Sequence, residues 1–176
     1  MHNIDLYPEL FEEMLTNKSE KISDLSKEVP VLLVFLRHFG CVFCKEALSD
    51  LSGLRGRMEE KNIKLVFIHM SENPKAEEYF NQFNLKGISH ISDPFARYYK
   101  AFGLMKGNFS QLYGLRTWIK GYGAVRKGFN LELAKSLGDS TQMPGVFLIK
   151  DSTIKESYIH KTASDRPNYD EIINCF

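Results

Sequence analysis

The sequence has almost no net charge, because its 23 basic residues nearly balance 22 acidic ones to give a formal charge of +1. Nucleic acids and anionic membranes attract strongly basic surfaces, so we predict neither as a partner. Long hydrophobic runs are missing too, since the longest, at residues 29–36, is far shorter than the ~20 residues of a transmembrane helix. The first residues lack the basic and apolar segments of a secretory signal, and we therefore expect a cytoplasmic protein.

Cysteine is also scarce, with three residues in the chain. Disulfide-stapled extracellular proteins normally use an even number, and a close pair in a reducing compartment is more often catalytic or metal-binding. Cys41 and Cys44 form such a pair. A structural zinc site needs four ligands, and no second Cys-x-x-Cys or paired histidine follows, so we expect no metal. Cys175 lies apart from the pair and has either no role or that of resolving an oxidised cysteine.

The length predicts one domain over residues 1–176, with a helical extension at 1–27 that is broken near Asn17. In chain order, the spacing of apolar residues then predicts a strand at 31–36, a helix at 41–61, a strand at 63–68, a helix from 73, a strand at 88–91, a helix from 95, a hairpin at 146–159 and a last helix at 169–174. This order indicates an α/β fold with a mixed sheet covered on both faces.

Residues 103–143 interrupt this pattern. They hold seven of the twelve glycines, Trp118 and more basic than acidic residues, which indicates an insertion before the hairpin. It is either a solvated flap whose aromatic residues pack on the sheet edge, or a lid that shapes a pocket for an anionic or lipid-like substrate.

The cysteine pair is placed where a buried strand ends and a helix begins. Residues three apart share one helical face, so the two sulfurs of Cys41 and Cys44 can meet and form a disulfide. Amide groups and the dipole at a helix N-terminus favour a thiolate, and Arg37 and His38 could add positive charge. The pattern predicts a nucleophilic sulfur near neutral pH, and the alternative is a pair of inert buried cysteines.

Met143 and Pro144 directly precede the first strand of the predicted hairpin. Proline at a strand start is tolerated where its missing N–H is not needed. The segment is either an ordinary loop or one with a cis peptide bond before Pro144, a form that about 5–6% of such bonds adopt.

Several segments, in order along residues 28–160, resemble AhpC/TSA-type peroxiredoxin-like proteins of the thioredoxin-fold superfamily. They are FLRHFGCVFCKE at 35–46, SDP at 92–94, WIKGY at 118–122, GD at 138–139 and QMPGVF at 142–147. The resemblance implies a thioredoxin-like fold, with a central mixed sheet flanked by helices, and a cis-proline beside the cysteines at Pro144. It also implies a thiol oxidoreductase that reduces a peroxide or a disulfide without a bound cofactor, using an external thiol donor such as thioredoxin or glutathione, and it allows a homodimer.

The resemblance leaves the attacking cysteine open. In thioredoxins the first and more exposed cysteine attacks, which is Cys41 here, and Cys44 would resolve the mixed disulfide. In peroxiredoxins the alignment assigns attack to Cys44, which places Cys41 at the usual Thr/Ser position and Arg37 at the usual proline. The arginine that normally precedes the late strand is replaced by Met143 and Pro144. We expect Cys41 to attack, and the alternative function is a thioredoxin-fold binding module with unreactive cysteines.

Overall fold

The computed structural model describes residues 8–108 and 139–175. Its elements are α1 (Pro8–Glu13), α2 (Ile22–Glu28), β1 (Val31–Phe35), α3 (Val42–Glu60), β2 (Lys64–His69), α4 (Asn73–Gln82), β3 (Ser89–Ser92), α5 (Arg97–Ala101), β4 (Gly145–Lys150), β5 (Thr153–Ile159) and α6 (Tyr169–Ile173). The predicted strands and the long helix are confirmed to within a residue or two. Most of the predicted insertion, residues 109–138, lies outside the described residues, so its role as flap or lid stays a prediction.

The five strands form one mixed sheet in the order β3-β2-β1-β4-β5. β1, β2 and β3 run parallel and are joined through α3 and α4, whereas β4 lies antiparallel on the other side of β1 and pairs with β5 in a hairpin. Parallel neighbours need a helical crossover between them, which explains the alternation of strands and helices in the first half of the chain. The predicted mixed α/β sheet is confirmed.

Alternate residues of β1 face two separate cores. Leu32 and Val34 pack in the core that contains side chains of α3, α4 and α6. Leu33 and Phe35 pack in the second core, under α1, α2 and α5. Every residue of β1 is therefore buried, and its unbroken apolar run is typical of a central strand with both faces covered.

The N-terminal extension is two helices, not one. α1 and α2 are separated by residues 14–21, where Leu15 and Lys21 form an isolated antiparallel bridge. Thr16 stabilises the connection, because its hydroxyl oxygen accepts hydrogen bonds from the amides of Lys18 and Glu20. The break thus includes Asn17, as predicted. None of the described helices is long and apolar enough to cross a lipid bilayer.

α5 begins two residues later than the sequence pattern predicts, because Ala96 adopts a left-handed conformation with φ of 52°. The carboxylate of Asp93 accepts hydrogen bonds from the backbone amides of Arg97 (2.9 Å) and Tyr98 (2.8 Å), which have no partner inside the helix. Asp93 is 4% exposed and caps the helix although it lies four residues before Arg97 in the chain.

We expect Asp93→Ala to lower the free energy of unfolding by about 1–2 kcal/mol, because it removes the acceptor for two partly buried amides at the start of the helix. Asp93→Asn, which keeps one acceptor oxygen, should lose less than half as much. Urea denaturation of the three proteins measures the difference, and an unchanged midpoint for Asp93→Ala would show that the cap contributes nothing.

Candidate active site

The strand register brings three distant segments to one edge of the sheet. Phe35 at the end of β1 pairs with Gly145 at the start of β4, and Gly145 pairs in turn with Ile159 at the end of β5. The loop after β1, the residues before β4 and the residues after β5 therefore meet at this edge. The first of these segments leads into α3 and carries the cysteines.

Cys41 is the N-cap residue of α3, and Cys44 lies in its first turn. The first amides of a helix have no partner within it. Here the backbone amides of Phe43 and Cys44 interact with the Cys41 sulfur and favour its ionised form. Cys41 thus occupies the N-cap position that a serine or aspartate often fills, although its side chain makes no capping hydrogen bond.

The pKa of Cys41 is lowered to about 6. The largest cause is a hydrogen bond with the Cys44 thiol. Burial opposes the shift, while the positive charge of Arg37 and the two backbone amides add to it. A pKa below 7 favours the thiolate of Cys41 at neutral pH, and the role of Cys41 as the nucleophile stays a prediction.

Arg37 is held with its guanidinium beside the Cys41 sulfur. Its Nε donates to the carbonyl of Ser140 at 2.7 Å, and Nη2 donates to the same oxygen. Nη1 then lies 3.5 Å from the sulfur of Cys41. Arg37 is 6% exposed, so little water screens its charge from the thiolate.

Cys44 has the opposite electrostatic environment. Its pKa is raised well above the ordinary thiol value, first by its hydrogen bond to Cys41, then by burial and by the Cys41 charge. The two sulfurs are neighbours but both cysteines are free thiols. The expectation that Cys41 is the more exposed cysteine is wrong, because both are 4% exposed. What separates their pKa values is first the hydrogen bond between the two sulfurs, which favours the thiolate of Cys41 and the thiol of Cys44.

A small cavity of about 20 Å³ contains both cysteines. That volume holds one water-sized molecule. The residues that line it are mostly apolar, and those with polar or sulfur-containing side chains among the described lining residues are Arg37, Cys41, Cys44, His160 and Tyr169.

The other predicted site residues are close by, with two corrections. Pro144 lines the cavity, but its peptide bond is trans, as are all the described peptide bonds. Met143 is buried against Phe43 and Ala163 at the rim. His38 does not add positive charge, because burial and the neighbouring Arg37 lower its pKa to about 4 and leave the ring neutral at pH 7.

Ser140, His160 and Tyr169 are site residues that sequence reasoning missed. Each is far from the cysteines along the chain and carries no motif of its own. The start of the last helix and the end of the hairpin could be predicted, but the register that places them at the cysteines could not.

The structure also brings together two histidines that are 21 residues apart in the chain. Nε2 of His69 and Nδ1 of His90 are 2.9 Å apart, at the ends of β2 and β3. In the described part of the chain, no group of three or more histidine, cysteine or acidic residues lies close enough together to hold a metal ion.

Comparison with known proteins agrees with this architecture. The family model for AhpC/TSA antioxidant enzymes matches residues 50–164, a span that begins after the two cysteines. The chain is 33% identical over 135 residues to peroxiredoxin-like 2C of Bos taurus, covering 72% of the chain and 58% of that protein. It is 27% identical over 164 residues to the thioredoxin-like protein AAED1 of Arabidopsis thaliana, which is described as chloroplastic, covering 88% of the chain and 64% of the relative.

The chain therefore spans less than two thirds of the length of these two relatives. Among solved structures, peroxiredoxin Q of Xanthomonas campestris matches with a TM-score of 0.68 at 11% identity, covering 97% of this chain and 93% of the other. At that identity the likeness establishes the fold, which is the thioredoxin fold of the peroxiredoxins. By the family match over most of its length, the chain belongs to the AhpC/TSA antioxidant enzyme family.

Proposed function

We propose that the chain is a thiol-dependent oxidoreductase that reduces a peroxide or a disulfide through Cys41 and Cys44. The observation that carries the proposal is the stabilised Cys41 sulfur, which has the Arg37 guanidinium at 3.5 Å and a lowered pKa. Membership in an antioxidant enzyme family supports the same chemistry. Inert buried cysteines need neither a charged neighbour nor a hydrogen-bonding partner thiol.

Cys41 attacks first in this proposal. With a hydroperoxide, its thiolate bonds to the terminal oxygen, the O–O bond breaks, and the alkoxide or hydroxide leaves after taking up a proton. Cys41 is then a sulfenic acid. Arg37 stabilises the charge that moves from sulfur to the leaving oxygen. With a disulfide substrate, the same attack gives a mixed disulfide and releases a thiol.

Cys44 then resolves the intermediate. Its sulfur bonds to that of Cys41, and water or the second substrate thiol leaves. Two electrons from an external donor, such as thioredoxin or glutathione, return the Cys41–Cys44 disulfide to the dithiol. Every step uses the two sulfurs and external thiols, so neither a metal nor an organic cofactor takes part.

The test is intact-mass analysis after one equivalent of hydrogen peroxide, with a sulfenic-acid trap present. We expect the wild type to lose two hydrogen atoms, and Cys44→Ser to accumulate a trapped sulfenic acid on Cys41. Cys41→Ser should give neither product at a comparable rate. Cys175→Ser is the matched control, because Cys175 is exposed and far from the pair along the chain, and it should behave as the wild type.

Other outcomes separate the alternatives. Trapping in Cys41→Ser instead of Cys44→Ser would make Cys44 the peroxidatic residue, as in the peroxiredoxin alignment. Peroxide could give neither a trapped sulfenic acid nor a disulfide while the protein still exchanges rapidly with a small disulfide. That result would restrict the function to disulfide reduction. Slow reaction with both, in a folded protein, would favour the binding module.

A further inference from the structure

His160 belongs to the cysteine cavity although it is more than a hundred residues away along the chain. It follows the last residue of β5, and its backbone amide donates to the carbonyl of Pro144 at 3.4 Å. This hydrogen bond extends the β4–β5 pairing by one step, and His160 lines the cavity together with Cys41 and Cys44.

The His160 ring presents an unused nitrogen. Nδ1 is buried and has no hydrogen-bond partner among the described residues. A hydrogen bond to the backbone of Asp165 favours a proton on the ring, and because Nδ1 has no partner we assign that proton to the other nitrogen. Burial lowers the pKa of His160 to about 4, although Asp165 opposes the shift. At pH 7 the ring is therefore neutral, and Nδ1 keeps a free lone pair.

A proton acceptor is what the second half of the proposed cycle requires. In the reduced pair the hydrogen bond to Cys41, burial and the Cys41 charge raise the pKa of the Cys44 thiol. Once Cys41 carries an oxygen or a substrate sulfur, burial is the cause that remains, and Cys44 stays protonated at neutral pH. It must lose that proton to attack Cys41. Of the other polar groups in the cavity wall, Arg37 cannot accept a proton, and the raised pKa of Tyr169 keeps its phenol protonated.

We propose that His160 is the general base that takes the proton from Cys44 as the disulfide closes. The inference rests on the proposed function, since it concerns the resolving step of that cycle. The Cys44–Cys41 bond forms while the bond from Cys41 to its oxygen or to the substrate sulfur breaks. The proton passes from Cys44 to His160 Nδ1 and then to the departing hydroxide or thiolate. In the reduced structure Nδ1 is covered and has no thiol at hydrogen-bond distance, so the two groups come within reach only as the disulfide begins to close. His160 ends the step neutral, so protons and electrons balance.

The charged and titratable groups around His160 define the expected pH dependence. Asp165 lies on the segment after β5, Tyr158 on the hairpin with its ring centroid 5.2 Å away, and Tyr169 on α6. Arg37 and the two cysteines line the same cavity. Of these, the Asp165 carboxylate favours protonation of His160, and burial outweighs it. The resolving step in the wild type should therefore depend weakly on pH between 6 and 8.

The experiment isolates the resolving step from the choice of substrate. In a Cys175→Ser background, methyl methanethiosulfonate adds a methylthio group to Cys41 and releases methanesulfinate. Attack by Cys44 then expels methanethiol and forms the disulfide. Acid quenching and intact-mass analysis follow both phases. The variants are His160→Gln, whose amide can still donate to Asp165 but is no base, and His160→Asn in case the longer side chain does not fit.

With His160→Gln we expect the first phase to change by less than about twofold and the second to slow by about ten- to a hundredfold at pH 6. The rate of the second phase should then rise by about tenfold per pH unit. Without a base only the Cys44 thiolate already present at equilibrium can attack, and its fraction rises with pH in this way. Tyr158→Phe keeps the ring that packs on His160 and is the matched control, with both phases unchanged. Far-UV circular dichroism verifies that each variant is folded.

Wild-type resolution kinetics in both His160 variants, with the wild-type pH profile, would overturn the role of His160 and leave the proposed function intact. If instead the wild type itself takes up the methylthio group but never closes a disulfide, the cycling of Cys41 and Cys44 fails, and the inference fails with it. A purely structural role for His160 would slow both phases together and leave the pH profile unchanged, which would also contradict the proposal.

Discussion

Replacing Cys44 by alanine is expected to shift the pH profile of Cys41 alkylation upward by about one to two pH units. The hydrogen bond from the Cys44 thiol is the largest cause of the lowered pKa of Cys41, and alanine removes it. The pKa of Cys41 is about 6 with this bond and would move toward the ordinary thiol value of 9.0 without it. The sign follows because a lost donor disfavours the thiolate.

The rate at a fixed pH should change by less than the thiolate fraction. A thiolate becomes more nucleophilic as its pKa rises, with a Brønsted slope of about 0.4–0.5. If the pKa of Cys41 rises by two units, nearly all the thiolate at pH 6 is lost, but each remaining thiolate reacts about tenfold faster. The alkylation rate therefore falls by about fivefold. The profile midpoint is therefore the better measurement, taken with iodoacetamide from pH 4 to 10 in a Cys175→Ser background.

Cys44→Ser separates the hydrogen bond from other effects of the substitution. Serine keeps a donor at this position, so the midpoint should move by less than half as much as with alanine. An alanine variant with an unchanged midpoint would contradict the role given to Cys44, and would leave Arg37 and the helix amides as the groups that hold the thiolate.

Tyr99→Ala is expected to lower the free energy of unfolding by about 3–5 kcal/mol, the usual cost of deleting a buried aromatic ring. Tyr99 is fully buried, and its ring packs edge-on against Phe35 with centroids 5.0 Å apart. Its hydroxyl also donates to the carbonyls of Leu36 and Ile68, where β1 ends and β2 nears its end. The ring therefore supports the strand from which the cysteine loop departs.

Tyr99→Phe should cost less, about 1–2 kcal/mol. In this variant the carbonyl of Ile68 keeps its hydrogen bond from the amide of Leu36. The carbonyl of Leu36 loses the hydrogen bond that the Tyr99 hydroxyl donates. The neighbouring Tyr98→Phe is the matched control, because Tyr98 donates to Glu13 at an exposed position and should cost under about 0.5 kcal/mol. Urea denaturation midpoints at unchanged slope measure all three variants. Equal losses of unfolding free energy in the two phenylalanine variants would contradict the structural role of Tyr99.

The sequence predicts only part of the environment of the Arg37 guanidinium. The typical peroxiredoxin pattern has an arginine before a late strand, where this chain has Met143 and Pro144. The structure supplies a guanidinium from a different position, Arg37, and fixes it through the carbonyl of Ser140. The sequence placed Arg37 near the cysteines, but it could not show which carbonyl would hold its side chain.

What the sequence determined by itself was local. The apolar run of β1, the helical spacing of α3 and the turn between β4 and β5 predict their own elements, because each depends on neighbours within a few residues. The Cys-x-x-Cys spacing at a strand-to-helix junction likewise predicts a reactive pair, since a helix N-terminus stabilises a thiolate wherever it occurs.

What only the tertiary structure decided was which groups surround those sulfurs. Cys41 and Cys44 are equally buried, and their pKa values separate first through the hydrogen bond between the two sulfurs, while the Arg37 guanidinium, 3.5 Å from the Cys41 sulfur, adds to the lowering at Cys41. His160 joins them because antiparallel pairing of β4 with β1 and β5 brings three strand ends to one edge. Burial, register and the direction of a guanidinium depend on contacts between residues far apart in the chain, and no local pattern encodes them.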